Sequence, residues 1–394
     1  MSKTLIVGDV HLGKGVAFGK PGIGNALNSR VADQVRLLNW ILDQGIDHQV
    51  DRMIITGDIF EDVKPDSQLI VLFLEWLKRC ADNNIECHII AGNHDVRRTG
   101  SWYTSILDCI AAVDLANTTV YKNTQTIHTA GACFTLLPFR DRLSLGCSTV
   151  DEALVHIEGR LPYELADIPA GCIRVLVGHI ALEGSFYTSE LGDAANELMC
   201  PTRIFAGYDY VFMGHVHKPQ VLSKTPHIEH VGSIDLSEFS EAGQTKILVL
   251  FDPNSTDIFQ HIPIPTRPMV RIREEITTGT DPTEYLLTLL SNLTLTNALV
   301  KLEIKHLDPD GPQLDRERII EEIQTRGAHY ISNFSESRNV AVVPEDKKAL
   351  LDSTVDPKSA ILLYADMLDL GNDQSEFISF CNECVDEHYS KEKS

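Results

Sequence analysis

No stretch of this 394-residue chain is long and apolar enough to span a bilayer. The longest strongly apolar run, around Leu69 to Leu77, contains Glu75 and is closed by Lys78 and Arg79, so it reads as a core-facing helix. A charged-then-apolar signal segment is missing as well, because Thr4 already opens a strand-like run. Basic residues are scarce: 34 Lys and Arg stand against 56 Asp and Glu, a formal net charge of −22. Phosphate attraction drives most nucleic-acid binding, and a basic face is its usual mark. The charge therefore favours a small substrate, or a partner that supplies positive surface. A disulfide framework is absent too, since the nine cysteines are odd in number and scattered, as expected of reduced thiols in a cytoplasmic compartment. Cys381 and Cys384 have a zinc-like spacing without a second pair, and read as a coincidence on a terminal helix. There is no long internal repeat and no low-complexity tract.

What is present is the mix of a soluble globular protein rather than a disordered one, with 43% hydrophobic and 23% charged residues. Apolar, β-branched runs at Thr4 to Val7, Met53 to Ile55, Cys87 to Ile90, Ile173 to Val177 and Tyr210 to Met213 read as buried strands. Each is followed by a polar motif: Asp9-Val10-His11, Gly57-Asp58, Gly92-Asn93-His94-Asp95, Gly178-His179 and Gly214-His215-Val216-His217. Open sheets in α/β domains, the class expected here, place their ligands at such strand ends. Helical spacing predicts helices over Ser29 to Gln44, ending before Gly45, and over Ser67 to Asn83. From about Cys133 the pattern shifts toward strands, with Thr245 to Phe251 closing the unit. Ile262-Pro263-Ile264-Pro265 and Pro268 then mark a linker. Beyond it, strands are expected at Met269 to Glu275, Ala298 to Ile304 and Val340 to Val343, and a helix at Leu314 to Arg326. Short amphipathic helices follow at Lys347 to Leu351, Pro357 to Leu368 and Ser375 to His388, with Leu362, Leu363, Met367 and Leu368 on their apolar side. The expected domains are 1–262, 263–345 and 346–394.

The motif residues are Asp, Asn and His without Cys, a set suited to two divalent ions of borderline or hard character, such as Mn, Fe or Zn. Asp9 and His11 can chelate one ion together, and Asp58, in the turn that Gly57 permits, is the natural bridge. Asn93 offers a neutral oxygen, which limits the negative charge around the cations, and His179, His215 and His217 complete the two shells. Such a pair acidifies a shared water and clamps a phosphate's oxygens. His94 is placed to approach the substrate, stabilising charge or protonating the leaving oxygen, with Asp95 orienting its ring. Any one of these motifs alone could be turn chemistry; five in order after five strands point to a metal-dependent phosphoesterase.

The set resembles the calcineurin-like metallophosphoesterase superfamily. Within it, Asp9-Val10-His11-Leu12-Gly13, Gly57-Asp58-Ile59-Phe60 with Pro65, and Gly232-Ser233-Ile234 with Phe239 and Glu241 are similar to SbcD-type nucleases, relatives of the meiotic recombination 11 nuclease. Compact phage-encoded recombination nuclease subunits share this layout. The resemblance covers about the first 250 residues. It implies a four-layer αββα sandwich with a small α+β capping domain and C-terminal partner-binding helices. It also implies one ion on Asp9, His11, Asp58 and His217, a second on Asp58, Asn93, His179 and His215, Mn²⁺ as the activating metal, and His94 as the catalytic histidine. DNA as substrate, an SbcC-like coiled-coil ATPase as partner and a homodimer follow from the same resemblance. Two departures stand out. Glu61 occupies the place of a second active-site histidine in archaeal and eukaryotic members, although bacterial members also carry an acid there. Ile234 replaces a usual proline.

Arg97 and Arg98, after the Gly-Asn-His-Asp turn, are candidates for contacts to flanking phosphates, or an ordinary solvated pair; Arg140 and Arg142 are weaker candidates. The Gly13 to Gly24 segment has Gly19-Lys20 followed by Pro21, which breaks a nucleotide-loop pattern, and reads as a loop at the rim of the metal site. The leading expectation is a Mn²⁺-dependent DNA exonuclease and endonuclease subunit of an SbcCD-like complex. The alternative is a small-substrate metallophosphodiesterase, which suits the charge better but has no need of the C-terminal third. A non-catalytic scaffold conflicts with the full set of candidate ligands.

Overall fold

The first sheet of the computed structural model runs edge to edge as Phe259–Pro263, Ile247–Phe251, Thr4–Val7, Arg52–Ile55, Glu86–Ile90 and Thr118–Tyr121. Its four central and distal strands from Thr4–Val7 onward are mutually parallel, and the other two are antiparallel. The second sheet runs Gln220–Lys224, His227–His230, Tyr210–Gly214, Ile173–His179, Ala132–Leu137 and Gln125–His128, again with a parallel centre and antiparallel edges. The structure describes residues 2–24, 26–99, 102–186, 198–308, 311–338, 357–365 and 374–391.

Alternation along the strands sorts their side chains into layers. Ile6, Ile54, Ile90, Phe134, Val175, Val177, Phe212 and Phe251 form one buried cluster between the sheets. Leu5, Val7, Met53, Ile55 and Ile89 point the other way, into a cluster with Leu37, Leu38 and Ile41 of the helix Ser29–Asp47 and Phe73, Trp76 and Leu77 of the helix Ser67–Asp82. Leu176, Val211, Met213 and Ile228 pack against Ala153, Ile157 and Leu161 of the helix Val150–Ala166. The result is the expected helix, sheet, sheet, helix layering. Both faces of each sheet are covered, which explains why the central strands are apolar runs rather than alternating ones. At one edge Glu229, buried in the second sheet, accepts from His261 Nε2 of the first at 2.9 Å and lies 3.1 Å from His227 Nε2.

Caps set the helix starts. Asn28 and Asp66 accept from the backbone N–H groups of Arg30 and Gln68, and Thr149 forms a capping box with Glu152. Two expectations fail here. The first helix does not stop before Gly45 but continues to Asp47. A Cβ at Gly45 would meet Met53 Cε at 2.4 Å, so this glycine serves packing rather than termination. The Val150–Ala166 helix, in a region read as strand-rich, was hidden by Gly159 and an internal Pro162.

A fully buried Arg30 ties distant segments together. It donates to Asp33 Oδ2 at 3.0 Å, Asp235 Oδ2 at 2.5 Å and the Leu236 carbonyl at 2.6 Å. Arg267, within the proline-marked segment expected to be a linker, reaches both oxygens of Asp33 at 2.7 and 2.8 Å.

The later strands Met269–Ile276, Leu299–His306 and Tyr330–Arg338 form a three-stranded sheet accompanied by helices Pro282–Ser291 and Arg316–Thr325. The first of those helices and the third strand were not anticipated. By contacts the chain divides into two compact units: Met1–Arg273 with Thr283–Glu303 and Leu314–Ser335, and Glu274–Pro282 with Ile304–Gln313 and Glu336–Ser394. In the second unit, helices Pro357–Ala365 and Gln374–Lys391 pack on each other. The strand expected at Val340 to Val343, the helix at Lys347 to Leu351, and Met367 and Leu368 lie outside the described residues, as does the Leu363 side chain. Among the described residues, no helix is long and apolar enough to cross a membrane.

Candidate metal centre

All seven candidate ligands converge at one end of the two sheets. Asp9 leaves the Thr4–Val7 strand fully buried, its Oδ1 accepting from the Thr56 hydroxyl at 2.8 Å and its Oδ2 from the His215 backbone N–H at 2.7 Å. His11, Asp58 and His215 adopt left-handed backbone angles, with φ of 45°, 46° and 80°. Side chains seldom accept that region, and where they do, function is a common reason. Gly57, with φ 125°, makes the turn before Asp58. A Cβ on Gly92 would sit 2.2 Å from Asp58 Oδ1, and one on Gly214 would sit 2.2 Å from Asp9 Oδ1. These glycines let neighbouring backbone approach the two carboxylates.

Asp58 Oδ2 lies 3.4 Å from both His11 Nε2 and His179 Nε2, placing this carboxylate between those two imidazoles. His11 Nε2 and His217 Nε2 face each other at 2.9 Å. On the other side, Asn93 Oδ1 lies 2.9 Å from His179 Nε2 and 2.9 Å from His215 Nδ1. Ligand atoms of Asp9, His11 and His217, and of Asp9, Asp58 and His179, fall within 4.8 Å of one another. So many acceptors and imidazole lone pairs aimed at common points, with no cysteine among them, fit two divalent cations bound by oxygen and nitrogen.

Burial alters the ionisation of these groups. It lowers His11 to about 4, keeping that ring neutral and able to donate a lone pair. His179 moves the opposite way, to about 9, because Asp58 and Asp9 outweigh its burial. Asp58 lies well below the usual carboxylate range; burial opposes this, but His179 and His11 prevail.

The imidazoles are braced from behind. His11 Nδ1 lies 2.8 Å from Glu61 Oε2, and His217 Nδ1 lies 3.2 Å from Glu241 Oε1. Glu241 is held in turn by the fully buried Lys246, which also donates to the His217 carbonyl at 2.8 Å. His179 Nδ1 donates to the Thr56 carbonyl at 3.0 Å, which leaves its Nε2 to the site. Gly232-Ser233-Ile234 runs beside the motif, with Ile234 N–H on the Asp9 carbonyl at 2.9 Å and Ser233 N–H on the His217 carbonyl at 3.1 Å.

His94 reaches the same cluster, its ring edge-on to His11 at 4.9 Å. Asp95 does not orient that ring. Its carboxylate accepts from the backbone N–H groups of Ile59 and Gly92, both at 2.9 Å, clamping the second and third motif loops together. His94 Nδ1 instead donates to the Glu61 carbonyl at 2.6 Å. Burial, with the nearby Asp58 charge, raises Asp95 to about 7.

A cleft of about 650 Å³ opens over the cluster, lined by Lys14, Asp58, Glu61, His94, His217 and Lys301 among others, and Gly13 to Phe18 form part of its rim. Arg97 lies in a two-stranded antiparallel ribbon, Val96–Thr99 with Trp102–Ser105, as does Arg98; the side chains of both lie outside the described residues. Arg140 donates to the Phe139 carbonyl, and Arg142 to the Ser148 carbonyl, both at 2.9 Å. Cys381 and Cys384 are free thiols. Sequence reasoning missed Thr56, Lys246 and Phe139. The Phe139 ring stacks on His215 and meets His179 edge-on. Its position just past the Ala132–Leu137 strand, at the ligand-bearing end of that sheet, was the available signal.

The family of this chain follows from a match to known proteins. Residues 2–219 match the calcineurin-like phosphoesterase family, more than half of the chain. The chain is 24% identical over 274 residues to the SbcD component of the SbcCD nuclease of Escherichia coli, covering 63% of this chain and 67% of that protein. It is likewise 24% identical over 269 residues to the corresponding SbcCD component from Staphylococcus epidermidis, covering 63% and 68%. Among solved structures, a dimetal phosphatase from Danio rerio overlaps 67% of this chain and 98% of its own, at 10% identity and a TM-score of 0.38. A phosphopantetheinyl hydrolase from Mycobacterium tuberculosis overlaps 66% and 95%, at 13% identity and a TM-score of 0.32. With its family match and its converging Asp, Asn and His donors, this chain belongs to the calcineurin-like phosphoesterases, metal-dependent phosphoester hydrolases with a dinuclear site.

Proposed function

We propose that this protein is a Mn²⁺-dependent DNA nuclease subunit with exonuclease and endonuclease activity, working in DNA repair, recombination or replication beside an SbcC-like coiled-coil ATPase. The observation that carries this reading is the extent of similarity to the SbcD component of the SbcCD nuclease. It takes in 63% of this chain, somewhat more than the 2–219 stretch that matches the phosphoesterase family. In this reading 1–262 is the nuclease domain, 263–345 a capping domain and 346–394 a helical tail that docks the ATPase. The partner supplies the basic surface that a chain of net charge −22 lacks. A homodimer in the cytoplasm completes the proposed assembly.

Asp9, His11, Asp58 and His217 would hold one ion, and Asp58, Asn93, His179 and His215 the other. The bound pair supplies an acidified water and charge neutralisation for the phosphate. His94, its Nδ1 proton fixed on the Glu61 carbonyl, presents Nε2 at the cleft, where the imidazolium form can pass its Nε2 proton to the leaving oxygen and return to the neutral Nδ1–H ring. Arg97 and Arg98 are proposed contacts to flanking phosphates.

The net charge favours a second reading, a phosphodiesterase of small substrates. Purified protein with Mn²⁺ is expected to degrade linear duplex DNA, and His94→Ala to abolish this while leaving Mn²⁺ binding intact. Hydrolysis of a cyclic nucleotide with intact duplex DNA would establish the second reading instead. Undiminished DNA cleavage by the variant would remove His94 from its role.

A further inference from the structure

Glu61, the acid in place of a histidine, meets two imidazoles through two different groups. Its Oε2 lies 2.8 Å from His11 Nδ1, with Lys14 Nζ 3.3 Å from the same oxygen. Its main-chain oxygen lies 2.6 Å from His94 Nδ1. A carboxylate and a carbonyl can only accept, so each ring carries its proton on Nδ1. His11 Nε2 is then a lone pair, facing Asp58 Oδ2 at 3.4 Å and His217 Nε2 at 2.9 Å. A carboxylate behind a ligating imidazole fixes its orientation and raises its basicity.

We propose that Glu61 is a positioning residue with two separable tasks: its carboxylate aims His11 at the metal, and its carbonyl independently aims His94 at the substrate. The inference rests on the reading of His11 as a ligand, and it gives Glu61 a role that a histidine at this position could not fill, since a neutral imidazole supplies no anionic acceptor. Because one task uses the side chain and the other the main chain, substitution divides them. Glu61→Ala removes the carboxylate and keeps the carbonyl. Glu61→Gln keeps an accepting oxygen without its charge.

The test is calorimetric titration of the full chain with Mn²⁺, alongside histidine ¹⁵N shifts that report tautomers and urea unfolding in EDTA. Glu61→Ala should weaken Mn²⁺ binding by about 10- to 100-fold and Glu61→Gln by less. Both should leave His94 in the Nδ1–H form and unfolding in EDTA unchanged. His11→Ala is the comparator. Unchanged binding in Glu61→Ala, with weakened binding in His11→Ala, overturns the inference and leaves the metal reading standing. Unchanged binding in both overturns the metal reading. Earlier unfolding of Glu61→Ala in EDTA reduces Glu61 to a structural residue, and an Nε2–H tautomer at His11 or His94 in the unsubstituted chain overturns the proposal without any variant.

Discussion

Replacing Gly214 by alanine tests the site where backbone is pressed against the Asp9 carboxylate. The added Cβ would lie 2.2 Å from Asp9 Oδ1, 2.5 Å from Thr56 Oγ1 and 2.9 Å from Thr56 Cβ. Real Cβ contacts stop near 3 Å, so the Asp9 carboxylate or the Tyr210–Gly214 strand must yield by close to 1 Å. Neither can do so alone, because Asp9 is held by the Thr56 hydroxyl on one oxygen and the His215 N–H on the other. A displacement of that size costs on the order of 100-fold in rate, and the overpacking costs about 1–3 kcal/mol of stability. The assay is Mn²⁺-dependent hydrolysis of bis-p-nitrophenyl phosphate, with urea unfolding in parallel. Gly159, in the Val150–Ala166 helix, is the control: its added Cβ would meet nothing within 4 Å. Alanine there should leave activity unchanged and add up to about 1 kcal/mol. A Gly214→Ala protein hydrolysing at the parent rate would refute the claim that this backbone is pressed against a working carboxylate.

Two further outcomes follow from buried charge. Arg30→Met should destabilise by roughly 3 kcal/mol or more, because Asp235 loses its only charged hydrogen-bond donor in the described structure while Asp33 keeps Arg267. Burial already raises Asp235 to about 6 against the pull of Arg30, so the penalty in urea unfolding should shrink as acid protonates that carboxyl; a pH-independent loss would contradict this. Glu229→Gln should matter in a defined window. Glu229 lies below its ordinary 4.5, with burial opposing and His227 and His261 prevailing, so its contribution is present above 4.5 and lost as pH falls through the lowered value. His261 is raised above 6.5 by Glu229, so its contribution is present below 6.5 and lost as pH rises through the raised value. The stability difference between parent and variant should therefore peak between pH 4.5 and 6.5, and a flat profile would dismiss the pair.

The strands that carry the site were legible because burial on both faces writes an apolar run, and the polar residue after each run is where the chain must leave the sheet. Thr4–Val7 was read to the residue, and the other four to within two. Local pattern failed where a residue's reason lay far away in sequence. Gly45 looked like a helix stop because Met53 and Ile85, which fill the space of its side chain, are not helix neighbours. Asp95 looked like a partner for the adjacent His94, yet its carboxylate serves Ile59, 36 residues upstream. Lys246 carries no local signal at all; only the fold brings it under His217.

The donors divide between the sheets, Asp9, His11, Asp58 and Asn93 following the first and His179, His215 and His217 the second. Asp9 receives the His215 N–H across 206 residues of chain. Contacts that distant form late, since the intervening loop must close before they repay its entropy. During synthesis, then, a ribosome must pass His217 and both sheets must begin to assemble before any cation finds its full complement of partners. Half-made chains hold scattered acids and imidazoles without a reactive centre, so hydrolytic power arrives only with the completed fold.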